Sequence, residues 1–282
     1  MPGGSASTLI RRIQKLGRPR LTRRRLDVEL VRRHLAESRT EAQRAIQEGL
    51  VRVGSNTSPK PSTLVAPSDA VHMINAPEPF VSRAGRKLDG ALTEFSVDVS
   101  GMRAIDIGAS TGGFTDCLLQ RGVSSVMAVD VGYGQMHWRI REDPRVTVVE
   151  RTNIRTATAD DVGGDYDLIV ADVSFISLRT IAPAIEVLGT DEAEWLLLVK
   201  PQFEAGRNEV GKGGIVRDTS VRIGALQQTV RGIEATGLGC QSIAVSSIAG
   251  TTGNVEFMTR FTRQPSKYDE AAIAVIGSET PS

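Results

Sequence analysis

From residue 102 onward, short apolar runs alternate with amphipathic stretches, and the runs keep ending at polar residues. One run ends at Asp106, Ser124–Val129 ends at Asp130, Val146–Val149 leads to Asn153, Tyr166–Ala171 ends at Asp172, and Glu194–Val199 ends at Lys200. Helical periodicity fills the gaps, for example over 176–188 and 220–237. Near-continuous apolar strands separated by helices predict a parallel sheet covered on both faces. The polar residues at 106, 130, 172 and 200 then lie at carboxyl ends, the edge where open α/β sheets bind ligands. Two further runs, 240–247 and 255–261, are joined only by Ile248–Asn254. A connection so tight predicts an antiparallel terminal hairpin and brings the sheet to seven strands.

The first of these junctions carries glycines at 108, 112 and 113, then Phe114, Cys117 and Leu118 at helical spacing and a stop at Gly122. It reads as strand, tight turn, helix. Glycine lets the backbone turn sharply and approach a ligand, and the free N–H groups of a helix start favour an anionic group. The spacing departs from the Gly-x-Gly-x-x-Gly dinucleotide fingerprint. Asp130 follows Gly108 by 22 residues, about where a doubly wound fold places a carboxylate for ribose hydroxyls.

The amino-terminal quarter has another character. Residues 1–22 are basic and rich in Gly, Ser and Pro, which predicts a flexible arm. Leu26, Val28, Leu30, Val31 and Leu35 mark one short helix. Ser38 and Glu41 open a second in the manner of a capping box, with Ala42, Ala45, Ile46 and Leu50 on its buried side. Val51–Val53 and Val71–Ile74 read as strands. A small α+β domain over 23–76 is the result, followed by a Pro-marked linker at 77–84, a second domain over 85–263 that opens with an amphipathic helix (Leu88, Ala91, Leu92, Phe95), and a loose tail over 264–282.

Composition sharpens this division. The formal net charge of +1 conceals a net of +8 in residues 1–76 against −7 in 77–282, so one end is suited to a polyanion. Two cysteines are too few for a disulfide framework or a cysteine-rich metal site. The histidines are scattered, and no metal is implied. No apolar stretch approaches the roughly 20 residues of a membrane span, and the basic start lacks the apolar region of a secretory signal. Cytoplasmic residence is expected.

Two resemblances give these domains a chemistry. Leu-Asp-x-x-Leu-Val at 26–31, Ser-Arg-x-x-Ala at 38–42 and Gly-x-Val-x-Val at 49–53 resemble the S4 RNA-binding domain, and Asp-x-Gly-x-x-x-Gly-Gly at 106–113 resembles the first motif of S-adenosylmethionine (SAM) methyltransferases. With the terminal hairpin, residues 24–263 resemble the hemolysin A (TlyA-type) ribosomal RNA 2′-O-methyltransferases, an S4 domain followed by an FtsJ-like, Rossmann-like catalytic domain. That family carries a Lys-Asp-Lys-Glu tetrad, matched by Lys87, Asp172, Lys200 and Glu256. The resemblance implies SAM as methyl donor, a cytidine 2′-hydroxyl in 16S or 23S ribosomal RNA as acceptor, and Lys200 as base. SAM contacts are expected from Asp106, Gly108, Ser110, Gly112, Gly113, Asp130 and Asn153, and RNA contacts from Arg23, Arg24, Arg25, Arg32, Arg33, Arg39 and Arg44. S4 domains read RNA shape and phosphates, so these arginines carry little base specificity.

The physical case is independent of the family. A sulfonium already holds a good leaving group, so methyl transfer to a hydroxyl needs alignment and proton removal. A free lysine is protonated at neutral pH and becomes a base only where desolvation and a second cation favour its neutral form. Three rivals remain. A membrane-active hemolysin would need a spanning or long basic amphipathic segment. A non-catalytic RNA-binding protein on a relic fold would not need the tetrad. A dehydrogenase would carry the other glycine spacing and no terminal hairpin.

Overall fold

The computed structural model describes residues 23–36, 38–47, 49–56, 59–74, 79–206, 208–250 and 253–280. The expected basic arm over 1–22 and the first two residues of the Pro-marked junction, 77 and 78, lie outside the described residues. The chain divides between Pro77 and Glu78 into two compact units.

In the first unit β1 (Arg24–Arg25) leads into α1 (Leu26–Arg32) and α2 (Arg39–Gln47), followed by β2 (Val51–Val53), β3 (Leu64–Val65) and β4 (Val71–Met73). Strands β1 and β3 pair antiparallel, as do β2 and β4. Leu26 and Leu30, one helical turn apart, meet Ala42, Ala45 and Ile46 of α2 over Val51, Val65 and Val71. The apolar spacing therefore marked the inner faces apart from Val28, which is exposed. Ser38 Oγ accepts from the Glu41 N–H at 3.2 Å, as a capping residue does.

The second unit opens with α3 (Ala84–Glu94) and continues as β5 (Arg103–Ile107), α4 (Gly113–Gln120), β6 (Ser125–Val129), α5 (Trp138–Arg141), β7 (Val146–Val149), α6 (Ala159–Val162), β8 (Tyr166–Ala171), α7 (Leu178–Glu186), β9 (Gly189–Val199), α8 (Pro201–Glu204), α9 (Thr219–Glu234), β10 (Gly239–Val245), β11 (Phe257–Thr262) and α10 (Glu270–Ser278). Its seven-stranded sheet has the order β10-β11-β9-β8-β5-β6-β7. Strand β11 runs antiparallel between β9 and β10, and the pairs among β5 to β9 are parallel. From β5 the chain moves outward through β6 and β7, then restarts at β8 on the other side of β5. That reversal is the switch point where such sheets bind ligands.

Period-two alternation explains why the strands read as continuous apolar runs. Trp195, Leu197 and Val199 pack beneath α7 and α9, while Leu196 and Leu198 face α3 and α4. Both sets are buried, each fully buried aliphatic or aromatic side chain contributing about 1.5–3 kcal/mol. Phe80, read as linker, is buried against Leu88 and Leu92, and the Val81 N–H donates to Asp116 Oδ2 at 2.7 Å.

The tail is ordered where a loose segment was expected. The Lys267 N–H donates to Cys240 O at 2.8 Å and Gln241 Nε2 donates to Pro265 O at 2.8 Å, so the chain returns along the exposed edge of β10. Covering an edge strand removes a template for intermolecular pairing. Helix α10 then buries Ile273 and sets Gly277 against Ile223, while the buried Arg222 donates from Nε to Gly277 O at 2.8 Å and from Nη2 to Ser278 O at 3.0 Å. Nine residues with little amphipathic signal become a helix because α9 supplies its partner face. Among the described residues no helix is long and apolar enough to cross a membrane.

Candidate active site

At the carboxyl edge of the second unit two cavities share a wall made of Gly108, Ser110, Asp172, Ser174 and Phe175. The larger, about 680 Å³, is lined among others by Lys87, Lys200 and Glu256. The smaller, about 450 Å³, extends towards β6 and β7 and is lined by Asp130 and Asn153.

The four tetrad positions meet at the larger cavity as two ion pairs. Lys87, in the first turns of α3, donates to Glu256 Oε2 at 2.5 Å. The pair is buried, with side-chain exposures of 10% and 3%. Glu256 precedes β11, and a Cβ on Gly250 would come within 2.5 Å of its Oε1, so only glycine at 250 leaves room for the carboxylate. Lys200, at the end of β9, lies 2.5 Å from Asp172 Oδ1 at the end of β8, and its Nζ also donates to Ser174 Oγ at 3.0 Å. Adjacent parallel strands thus deliver the second pair. The inserted strand β11 delivers the first.

Ser174 belongs to this site although no local pattern distinguishes it from other strand-end serines. Glu204 is a second such residue. It is buried after the turn that follows Lys200, and it accepts from the Leu178 N–H at 2.7 Å and from Ser177 Oγ at 2.5 Å. Its carboxylate caps α7 and ties the Asp172–Ser177 loop to the Lys200–Glu204 turn.

The glycine turn is built for close packing. Gly108 has φ +81°, and a Cβ there would meet Asp172 O at 2.7 Å; a Cβ on Gly113 would meet Ser82 Oγ at 2.1 Å. Gly112 has φ +92° and packs on Met136 and Ile140. Ser110, at φ +47°, sends its N–H to Asp130 Oδ2 at 2.8 Å, while Asp130 Oδ1 accepts from the Gly132 N–H at 2.6 Å. These two bonds fix the Asp130 carboxylate on the wall of the smaller cavity. Asn153 lines the same cavity, with its Oδ1 accepting from the Arg155 N–H at 3.1 Å.

Two expected contact residues sit elsewhere. Gly112 lines neither cavity, because its role is at the packing of α4 on Met136. Asp106 is sealed in β5 beneath the turn and lines neither cavity. Thr115 Oγ1 donates to its Oδ2 at 2.6 Å, and its Oδ1 is buried with no hydrogen-bond partner among the described residues.

Burial, reinforced by the charge of Asp172, pushes the Asp106 carboxyl up to about 7. Between about pH 4 and 7 the folded chain therefore holds a proton that an unfolded Asp releases, so stability falls as pH rises through this window. Asp106→Asn removes the dependence. Urea unfolding should show the stability of the variant relative to the parent rising by up to about 1.4 kcal/mol per pH unit across that window. A difference independent of pH would contradict the assignment.

In the first unit the arginines divide. Asp27 and Glu29 are buried. Arg25 holds the Asp27 carboxyl well below the usual carboxylate range, with Gln43 and Arg39 assisting. Arg32, with Arg33, holds Glu29 at about 2. Arg25, Arg32 and Arg39 keep side chains 43%, 48% and 58% exposed, so they pair inward and still present surface. Arg23, Arg24 and Arg44 are exposed. Arg33 corrects the sequence reading: its guanidinium donates to the carbonyls of Ala66, Pro67 and Asp69 and to Glu29, which turns it into a strut of the fold. Among the described residues no group of three or more His, Cys, Asp or Glu is arranged to hold a metal ion.

Comparison with known proteins bears on this geometry directly. Residues 80–263 match the FtsJ-like methyltransferase family and residues 24–71 match the S4 domain. The chain is 46% identical over 236 residues to the 16S/23S rRNA (cytidine-2′-O)-methyltransferase TlyA of Mycobacterium tuberculosis, covering 83% of this chain and 88% of the relative. It is 34% identical over 191 residues to the 23S rRNA (cytidine-2′-O)-methyltransferase TlyA of Campylobacter jejuni, covering 67% and 74%. A solved structure from Streptococcus thermophilus, given as a candidate hemolysin, superposes with TM-score 0.69 at 37% identity over 92% of this chain and 95% of its own. The seven-stranded sheet with its inserted final strand, the two lysine–carboxylate pairs and these likenesses agree, and the chain belongs to the TlyA-type hemolysin A family of FtsJ-like methyltransferases that carry an S4 domain.

Proposed function

We propose that this protein methylates the 2′-hydroxyl of a cytidine in ribosomal RNA, within ribosomal subunits in the cytoplasm, using SAM as donor. The observation that carries the reading is the convergence of Lys87–Glu256 and Lys200–Asp172 on one cavity that shares a wall with a second, acid-lined one.

The residues present fit the donor. A fixed carboxylate, Asp130, lines the smaller cavity at the distance from the glycine turn where ribose hydroxyls are received. Asp130 and Asn153 would hold the adenosine part, and Gly108, Ser110 and Gly113 the part nearer the tetrad. When bound, SAM supplies a methyl group on a positively charged sulfur, which leaves as a neutral thioether. Lys200 in its neutral form takes the proton of the 2′-hydroxyl as the oxygen gains the methyl group, and becomes an ammonium facing Asp172 and Ser174. Asp172 and Ser174 aim the amine. Lys87, held by Glu256, lines the same cavity as a fixed positive charge beside the acceptor oxygen.

The domain assignment follows this division of labour. Residues 23–76 form the RNA-docking module, 77–84 the junction and 85–263 the methyltransferase domain. Arg23, Arg24, Arg25, Arg32, Arg39 and Arg44 supply phosphate contacts.

Arg23, Arg24 and Arg25 immediately precede the first S4 helix, and on this ground both subunits are taken as substrates. Isolated 30S and 50S particles incubated with methyl-labelled SAM should each acquire label at one cytidine ribose. Label on a single particle would remove the dual specificity, and none on either would remove the reading itself.

A further inference from the structure

Between α8 and α9 the chain makes a loop, Gly211-Lys-Gly-Gly-Ile-Val-Arg217, which the tetrad chemistry leaves unused. Gly211 and Ile215 close it as an antiparallel bridge. Gly213 and Gly214 both line the larger cavity. Their φ angles are +83° and +76°, and a Cβ at either position would meet nothing within 4 Å. Packing does not require glycine there. The positive φ angles do, and the missing side chains leave backbone open to the cavity.

The loop is anchored to the tetrad by one buried side chain. Asn254, 1% exposed, accepts from the Val216 N–H through Oδ1 at 2.9 Å and donates through Nδ2 to Gly214 O at 2.8 Å. Two residues later comes Glu256, the partner of Lys87. The loop and the Lys87–Glu256 pair therefore share a strut.

Its position relative to the sheet separates it from the donor half. Asp130 and Asn153 follow β6 and β7, on one side of the switch point, whereas Asn254 and Glu256 precede β11 on the other. The loop lines only the larger cavity. Lys212 and Arg217 are exposed, and among the described residues neither takes part in an ion pair. The ideal Cβ position of Gly211 lies 3.6 Å from Arg217 Nη1, so that guanidinium stands close to the base of the loop. Two cations flanking unobstructed glycine backbone make a receptor for a phosphate-type anion.

We propose that the Gly211–Arg217 loop binds a backbone phosphodiester of the RNA next to the ribose to be methylated. This rests on the rRNA methyltransferase reading above. The loop would fix the acceptor strand at the mouth of the larger cavity, on the side of the tetrad away from the donor. Because the contact is to the backbone, it adds affinity and register without base specificity.

The test uses the full-length chain with Lys212→Ala, Lys212→Glu and Lys212→Arg. Lys212 is exposed, so these variants keep the fold. Steady-state methyl transfer to 50S particles gives separate KM values for particle and SAM, and fluorescence anisotropy with a ribosomal RNA fragment gives binding across a salt series.

Lys212→Ala should raise the particle KM about tenfold and leave the SAM KM unchanged. It should also reduce the slope of log affinity against log salt by about 0.7 to 1, the loss of one phosphate contact. Lys212→Glu should exceed both effects, and Lys212→Arg should restore them. An unchanged particle KM and salt slope would overturn the proposal. So would a rise in the SAM KM instead, since that assigns the loop to the carboxylate of the donor. A parent protein that binds the RNA but transfers no methyl group would sink the enzymatic reading, and the salt slopes would still judge the loop.

Discussion

Lys200→Ala is expected to lower the rate of methyl transfer by about 10²- to 10⁴-fold, the range that a positioned general base contributes. Affinity for SAM should stay within about threefold, because the assigned donor contacts lie on the glycine turn and at Asp130. The position is specific: Lys200 Nζ sits 2.5 Å from Asp172 and 3.0 Å from Ser174. Removing it takes away the proton acceptor and also leaves the Asp172 carboxylate without its lysine, so rates are compared at matched folded protein. Single-turnover rates combined with calorimetric SAM binding separate the outcomes. Near-normal turnover with intact SAM binding would show that another group takes the proton.

The second large effect concerns stability. Glu256→Ala leaves the Lys87 ammonium, 9% exposed, without the carboxylate 2.5 Å away. Breaking one side of a buried pair costs about 3–5 kcal/mol, because the remaining charge is stranded away from water. For a unit of this size that corresponds to a fall of roughly 6 to 20 °C in unfolding temperature. The double variant Lys87→Met with Glu256→Leu should recover much of the loss while remaining inactive, since replacing both members by apolar groups removes the stranded charge. Scanning calorimetry on the full chain measures this. An unchanged transition in Glu256→Ala would mean that the pair contributes no such burial.

These two pairs also show what the sequence could and could not convey. Strand positions, the parallel character of the sheet and the terminal hairpin were legible because buried parallel strands are apolar on both faces and a connection of under a dozen residues, 246–256 in the structure, does not cross over. The carboxyl-end residues 130, 172 and 200 were legible for the same reason, whereas Asp106 lies inside β5. Which lysine meets which acid was not. Lys87 and Glu256 are 169 residues apart, and they meet only because β11 inserts between β9 and β10, a feature of sheet order that no local period encodes. Asp106 looked like a wall residue because its neighbours in the motif form the turn. Its side chain points to Thr115 under that turn.

Arg32 and Arg33 were indistinguishable as sequence. A single step along the chain separates their fates: both reach Glu29, yet Arg33 alone reaches three carbonyls supplied by the 66–69 loop. The tail helix was equally hidden, since its stability derives from α9 and the Arg222 cap rather than from its own amphipathicity. Local chemistry was thus readable wherever one element decides it, and unreadable wherever two distant elements do.

The proposed transfer of a methyl group to a cytidine 2′-oxygen through Lys200 leaves a mark that can be read in the RNA itself. Mapping 2′-O-methylated riboses across ribosomal RNA from cells that lack the protein, complemented with either the parent chain or Lys200→Ala, tests it most directly. A methylated cytidine should appear with the parent and stay absent with Lys200→Ala at equal protein abundance. An unchanged methylation map, or a mark restored fully by Lys200→Ala, would contradict it.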